Sequence, residues 1–262
     1  MRILGVNETQ LINQNLLKWL SYFNMEYITE EGLDFYRIHS GLPDALFNLI
    51  ALPTIQNPTH IPQITAFFKQ NKCPYSWWIE EDKITPELKA HFEQENYTCF
   101  GDVPGMLLHL EDYKDNETPQ GKKQRQAIRQ ITTVQDLTEW AHIIGQSFGF
   151  STAAEEMYVQ KLSPLLNQPN QFIAFGAYQD NQMVTTGCLI IADGIGGLYN
   201  LATLEKYRQQ GWGIAMHHNR LRYLKQQGIK TAVVQTSPMA TQNALKVGFK
   251  PKLNYKLYLK TT

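Results

Sequence analysis

The sequence predicts a mixed α/β (α+β) protein in two halves, and three observations carry that expectation. Through residues 126–262, β-rich apolar runs alternate with segments whose apolar residues recur at helical intervals. The polar stretch "EDYKDNETPQGKKQRQ", with Pro119 and Gly121, divides the chain near its middle and reads as a linker over 112–125. The order of elements in the second half is echoed at the end of the first.

Composition narrows the partners. Lys plus Arg equals Asp plus Glu at 24 each, so no global field draws the chain to nucleic acid or a membrane surface, and neither is expected as a partner. Cys73, Cys99 and Cys188 are odd in number and far apart, which fits neither a disulfide framework nor paired zinc spacings. The first twenty residues carry one early Arg and no uninterrupted apolar run, and no stretch reaches the ~18 apolar residues of a membrane span. A cytoplasmic protein without a metal is the expectation.

The second half opens with "TTVQDLTEWAHIIGQSFG", whose Leu137, Trp140, Ile143 and Ile144 fall at helical spacing, followed by a shorter helix ending near Pro164. "QFIAFGAYQDNQMVTTGCLIIAD" reads as a hairpin turning at Gln179–Gln182. After Gly194, Gly196 and Gly197, "LYNLATL" reads as a short strand leading into "YRQQGWGIAM". Residues 213–227 then predict a helix and "KTAVVQT" a buried strand. "SPMATQNALKVGF" predicts a helix with Ser237 as N-cap, Pro238 in its first turn and Gly248 as its stop. "LNYKLYLK" closes with period two, placing Leu253, Tyr255, Leu257 and Leu259 on one face.

In the first half, "TPELKAHFEQENY" aligns without gaps on "SPMATQNALKVGF", "SWWIEE" on "TAVVQT", and "FFKQNK" on "YLKQQG". The order of elements supports duplication, with chance likeness of two ordinary α/β units as the alternative. Ahead of the first copy's helix stands "NLIALPTIQNP", with no glycine pair and no arginine.

The motif with chemistry is "YRQQGWGIAM". A side-chain-poor turn entering a helix leaves backbone N–H groups pointing outward at the positive end of the helix dipole, which makes an anion site. "LATLEKYRQQGWGIAM" resembles the acyl-CoA-binding signature of the GNAT superfamily of N-acetyltransferases, as Arg208-Gln209-Gln210-Gly211-Trp212-Gly213, and the closing Gly248-Phe249 is similar to that family's strand-to-helix segment. The first half, with "HSGLPDALFN", "YSWWIEE" and "VPGMLLHL", resembles more loosely the degenerate first domain of tandem GNAT proteins.

The resemblance implies two domains, 1–111 and 126–262, each a mixed, mainly antiparallel twisted sheet flanked by helices. It implies acetyl-CoA as co-substrate, held at its pyrophosphate by N–H groups of Gln209, Gln210, Gly211, Trp212, Gly213, Ile214 and Ala215, with Arg208 adding charge. The pantetheine arm would pair with backbone of Leu201, Ala202 and Thr203 by β-addition, and the same strand would give an N–H to the thioester oxygen. The acceptor is expected to be an amine-bearing small molecule or peptide. Two departures stand out: the tyrosine acid of many members is replaced by Ala244, and "LYNLATL" offers no carboxylate base. Tyr199, Ser237 and Asn243 are the candidates to assist proton transfer.

Other readings are plainer. Met216 occupies the third glycine position of a dinucleotide fingerprint, and residues 235–237 carry no acidic residue for a ribose. His217 and His218 read as packed histidines, Trp77 and Trp78 as packing, Lys122–Arg125 as a solvated run, and the cysteines as buried thiols. A catalytic N-acetyltransferase and a non-catalytic acyl-CoA-binding regulatory or sensor protein both remain open.

Overall fold

The computed structural model describes residues 7–30, 32–166, 168 and 171–261; the early Arg2 lies outside them. In chain order the elements are α1 (Glu8–Leu20), β1 (Met25–Glu30), β2 (Leu33–His39), β3 (Asn48–Ile55), α2 (Ile61–Gln70), β4 (Tyr75–Glu80), α3 (Pro86–Gln94), β5 (Thr98–His109) and α4 (Pro119–Gln126). They continue as β6 (Ile128–Gln130), α5 (Val134–Phe148), α6 (Thr152–Leu162), β7 (Phe172–Gln179), β8 (Gln182–Ala192), β9 (Ile195–Thr203), α7 (Trp212–Gln226), β10 (Thr231–Gln235), α8 (Pro238–Lys246) and β11 (Lys250–Lys260). None of the described helices is long and apolar enough to cross a membrane.

Two units result, Met1–Trp19 with Gly105–Lys252, and Leu20–Pro104 with Leu253–Thr262. They are not the contiguous halves that the sequence suggests, because α1 belongs with the later half and β5 and β11 each pass from one unit to the other. Hydrogen bonding is the reason: the end of β5 pairs antiparallel with β10, and β11 pairs antiparallel with β4.

In the first unit the strand order is β5-β10-β9-β8-β7-β6, antiparallel except for the parallel pair β9–β10. Side chains of successive strand residues point to opposite faces, and two glycines within β9 show what lies on each. A Cβ on Gly196 would lie 2.3 Å from Leu224 of α7, and one on Gly197 would lie 1.8 Å from Asn15 of α1. These glycines therefore belong to the strand, which begins earlier than "LYNLATL", because a helix presses on each side. Met106, Leu189, Leu198, Met216, Leu224 and Val234 centre the core on the α7 side. On the other side Trp19 stacks on Tyr199 (5.3 Å, 18°) and meets Tyr158 of α6 edge-on. Local signals match this frame: Thr133 caps α5 at Asp136 N, Gly149 ends it at φ 74°, and Asp180 and Asn181 turn the β7–β8 hairpin with positive φ.

The expected linker is ordered. Thr118 accepts from Gly121 N, so the Thr-Pro pair starts α4 rather than breaking the chain. Gln124 is buried, Arg125 pairs with Glu117, and Arg222 of α7 binds Asp115 through two hydrogen bonds of 2.7 and 2.6 Å.

In the second unit β1-β2-β3 are antiparallel, β3–β4 parallel and β4–β11 antiparallel. Phe35, Ile64, Phe68, Trp77 and Phe92 form its core, Tyr258 of β11 stacks on Phe92 at 4.0 Å, and Lys256 bridges Glu81 and Asp102. Trp77 is fully buried, and Trp78 meets Tyr255 edge-on. Its elements run β1-β2-β3-α2-β4-α3-β5, the same order as β7-β8-β9-α7-β10-α8-β11.

Candidate functional site

The site is built where β9 leaves β10. Their parallel pairing covers Ile195–Leu198 against Thr231–Val234, while β9 runs on to Thr203. On its other side β9 carries a bulge: Thr186 pairs Ala202 and Cys188 pairs Tyr199, so Asn200 and Leu201 stand opposite Gly187 alone. Asn200 takes φ 52°, a left-handed conformation that asparagine tolerates better than most residues. The pairing with β10 ends at Leu198, just before the extra residue, so the last residues of β9 run on beyond that ladder.

The chain then turns into α7. Gln209 (φ 59°) and Gly211 (φ 93°) are both left-handed, Gly211 is the N-cap, and no side chain caps the helix. The first N–H groups of α7 have no carbonyl one turn back within the helix, which leaves donors at the positive end of its dipole. Arg208 Nε donates to Thr203 O at 3.0 Å, tying the turn to the end of β9. From the supposed linker, Gln120 and Gln124 donate to Gln210 O at 3.2 and 2.7 Å. A Cβ on Gly213 would lie 3.2 Å from Asn243 Nδ2 of α8 and 3.8 Å from Leu201, so Leu201, Gly213 and Asn243 converge.

Below the bulge lies a group that the sequence reading passed over. Arg220 of α7 is fully buried; its Nη1 donates to Tyr199 O at 3.1 Å and Cys188 O at 3.3 Å, and its Nε to Met216 O. Its partners are carbonyls and the His217 ring at 3.5 Å, and among the described residues no carboxylate pairs with it. Burial lowers the guanidinium pKa to about 10, which leaves it charged at neutral pH. Burying an ion costs several kcal/mol even after relaxation. Gly187 makes the room: a Cβ there would lie 3.2 Å from the guanidinium carbon and 2.9 Å from Met216. A glycine inside a β-rich run and an arginine on a buried helical stripe were the available signals.

The three proton-transfer candidates separate. Tyr199 donates its hydroxyl to Asn15 Oδ1 at 2.9 Å. Ser237 is exposed at the N-cap of α8 with its backbone extended, and its hydroxyl makes no cap bond, contrary to the usual habit of a capping serine. Asn243 alone stands beside the α7 turn. Ala244 is fully buried. His217 is buried, and desolvation, Arg220 and His218 hold its pKa well below the ordinary value. Desolvation also lowers His218, which meets Tyr113 Oη at 2.6 Å. Burial pushes the Cys188 thiol to about 12, so it is not a ready nucleophile. Among the described residues no group of three His, Cys, Asp or Glu is placed to hold a metal.

The comparisons agree with this geometry. The model of the Acetyltransferase (GNAT) family matches residues 135–249, which include the bulge, the turn and α8. Curated proteins give no match. Among solved structures, a GCN5-related N-acetyltransferase from Kribbella flavida superposes with a TM-score of 0.70 at 17% identity, covering 98% of this chain and 97% of the other. One from Sphaerobacter thermophilus gives 0.61 at 14%, covering 87% and 80%. A tandem GNAT protein from the clavulanic acid biosynthesis pathway gives 0.56 at 12%, covering 97% and 95%. The chain has the fold of these proteins, and its residues 135–249 match the model of the GNAT acetyltransferase family.

Proposed function

We propose that the protein is an N-acetyltransferase that moves the acetyl group of acetyl-CoA directly to a primary amine of a small molecule or peptide, in a reducing cytoplasmic setting. The observation that carries this reading is the open edge of β9 running into an α7 start that no side chain caps. The residues fit such a ligand: N–H groups from Gln209 to Ile214 suit a pyrophosphate, whereas the expected Ala215 N–H is spent on Gly211 O at 3.0 Å; Arg208 adds charge, and Gly211 and Gly213 keep side chains out of its approach. Backbone groups of Leu201, Ala202 and Thr203 suit an amide-bearing arm. Bound there, acetyl-CoA supplies an activated thioester.

The chain's own contribution is positioning and charge stabilisation. An N–H at the β9 bulge would face the thioester oxygen as negative charge builds on it. Cys188 is neutral and buried, which favours transfer without an acyl-enzyme. Asn243, beside the α7 turn, is our candidate to orient a proton-carrying water.

A second reading has its own support. Tyr199 is committed to Asn15 and Ala244 fills the place of the family's acid, which suits an acyl-CoA sensor that turns over slowly or not at all. Release of free CoA thiol from acetyl-CoA, measured with a panel of amines, amino acids, polyamines, aminoglycosides and short peptides beside calorimetric titration with CoA, separates them. Amine-dependent release establishes the enzyme, binding without release the sensor, and absence of binding removes both.

A further inference from the structure

The two units supply an internal comparison for the buried arginine. In β3, Asp34 pairs Thr54 and Tyr36 pairs Ala51, so Leu52 and Pro53 stand opposite Phe35 alone. Leu52 takes φ 49°, as Asn200 takes 52°. The bulge of β9 therefore recurs in β3, beside a parallel neighbour, β4, that occupies the place of β10.

What fills the space beneath differs. Phe35 stands at the position of Gly187, and with "FFKQNK" aligned on "YLKQQG", Ile64 of α2 stands at the position of Arg220. Both belong to one apolar cluster. The second unit thus builds the bulge with a phenylalanine and an isoleucine, so the fold does not require a buried cation there. Its bulge also lacks a donor that the first keeps, because Pro53 has no N–H where Leu201 has one.

On the reading given above, we propose that Arg220 is a positioning residue for acyl transfer: it fixes and polarises the Tyr199–Asn200 peptide so that the Asn200 N–H is aimed at the thioester oxygen. The guanidinium holds the Tyr199 carbonyl at 3.1 Å. In a trans peptide the next N–H points the opposite way, and a carbonyl bonded to a cation strengthens its own amide as a donor. Thr186 Oγ1 donates to Asn200 O at 2.9 Å, so the carbonyls on both sides of the left-handed residue are held. Arg220 also lies on the helix whose first turn forms the anion cradle, about two turns away, or roughly 12 Å. Phosphate grip and bulge are joined by one rigid element.

The test uses acetyl-CoA carrying 13C at the thioester carbonyl, with CoA affinity measured calorimetrically on the same samples. Arg220→Lys keeps a cation but loses the fork, Arg220→Met removes both, and Gly187→Ala crowds the guanidinium while leaving it in place. Bound to the unsubstituted protein, the carbonyl resonance should move from its free position. Each variant should bring it at least halfway back, the lysine least, with CoA affinity within about threefold, a change near 0.65 kcal/mol. A resonance that stays put in the variants overturns the role of Arg220 while leaving acetyl-CoA binding intact. Loss of fold or of CoA affinity in all three assigns Arg220 to the core alone. Absence of binding by the unsubstituted protein removes the cofactor reading and this proposal with it.

Discussion

Replacing Asn15 by Ala tests whether α1 is an integral part of the first unit. Asn15 is 1% exposed; its Nδ2 donates to Ile190 O at 3.1 Å and Ile195 O at 3.2 Å, and its Oδ1 accepts from Tyr199 at 2.9 Å. The alanine leaves two carbonyls and a hydroxyl without that partner in a dry region. At about 1–2 kcal/mol for each group left unsatisfied, the unit should lose roughly 3–6 kcal/mol, out of the ~5–15 kcal/mol typical of a domain. At ~2–4 °C for each kcal/mol in a unit of this size, the melting transition should fall by about 10 °C. Urea and thermal unfolding read by near-ultraviolet circular dichroism suit the purpose, since Trp19 stacks on Tyr199. Gln14→Ala on the exposed side of the same helix is the control and should shift stability by less than about 0.5 kcal/mol. A loss below about 1 kcal/mol for Asn15→Ala would refute the view that this side chain pins α1 to β8 and β9.

Gly211→Asp should weaken CoA at least ~100-fold in calorimetric titration, about 2.7 kcal/mol, by setting a carboxylate among the α7 donors. The fold should persist with a slightly lower melting point, because the position has φ 93° and its Cβ would lie 3.0 Å from Gln124 Oε1; unchanged affinity would move the pyrophosphate elsewhere. His217 and His218 have folded pKa values below the unfolded 6.5, so below that pH the unfolded chain takes up protons that the native state refuses. Stability should therefore be full above pH 6.5 and fall from there toward pH 5, by up to about 1.4 kcal/mol per pH unit for each histidine; urea midpoints that stay level over that window would contradict it. Tyr199→Phe should lower stability by about 1–2 kcal/mol through Asn15 Oδ1, yet leave thiol release within ~3-fold; a fall of ~100-fold would make Tyr199 the acid.

Much of the architecture was legible because it is local. Pro238, Gly248 and the turn between Gln179 and Gln182 announce themselves by helix-start, helix-stop and left-handed preferences that depend on a few neighbouring residues. The turn at Arg208–Gly213 was legible for the same reason, since glycine at the start of a helix serves few other purposes. What stayed hidden depends on residues far apart in the chain. Arg220 sits on a buried helical stripe, but what it binds shows only when Gly187, Cys188 and Tyr199 are brought beneath it. Asn15 gives no local sign that its partners lie 175 and 180 residues downstream. The segment at 112–125 misled because polarity was read as solvation, whereas Thr118, Glu117 and Gln124 spend theirs on partners within the unit.

The exchange of β5 and β11 sets a timetable for biosynthesis. Asn254 of β11 lies 173 residues beyond its partner Glu81, which follows β4. At about 5–20 residues per second, a ribosome leaves β4 waiting roughly 10–35 seconds for the strand that covers it. During that interval one side of β4 presents unpaired backbone groups, the kind of edge on which nascent chains associate wrongly. α1, made earlier still, waits for β8 and β9. A chaperone that shields β4 until translation has passed β11 would raise the yield of folded protein, whereas a gene cut at the polar segment would release two fragments, each missing a strand that the other encodes.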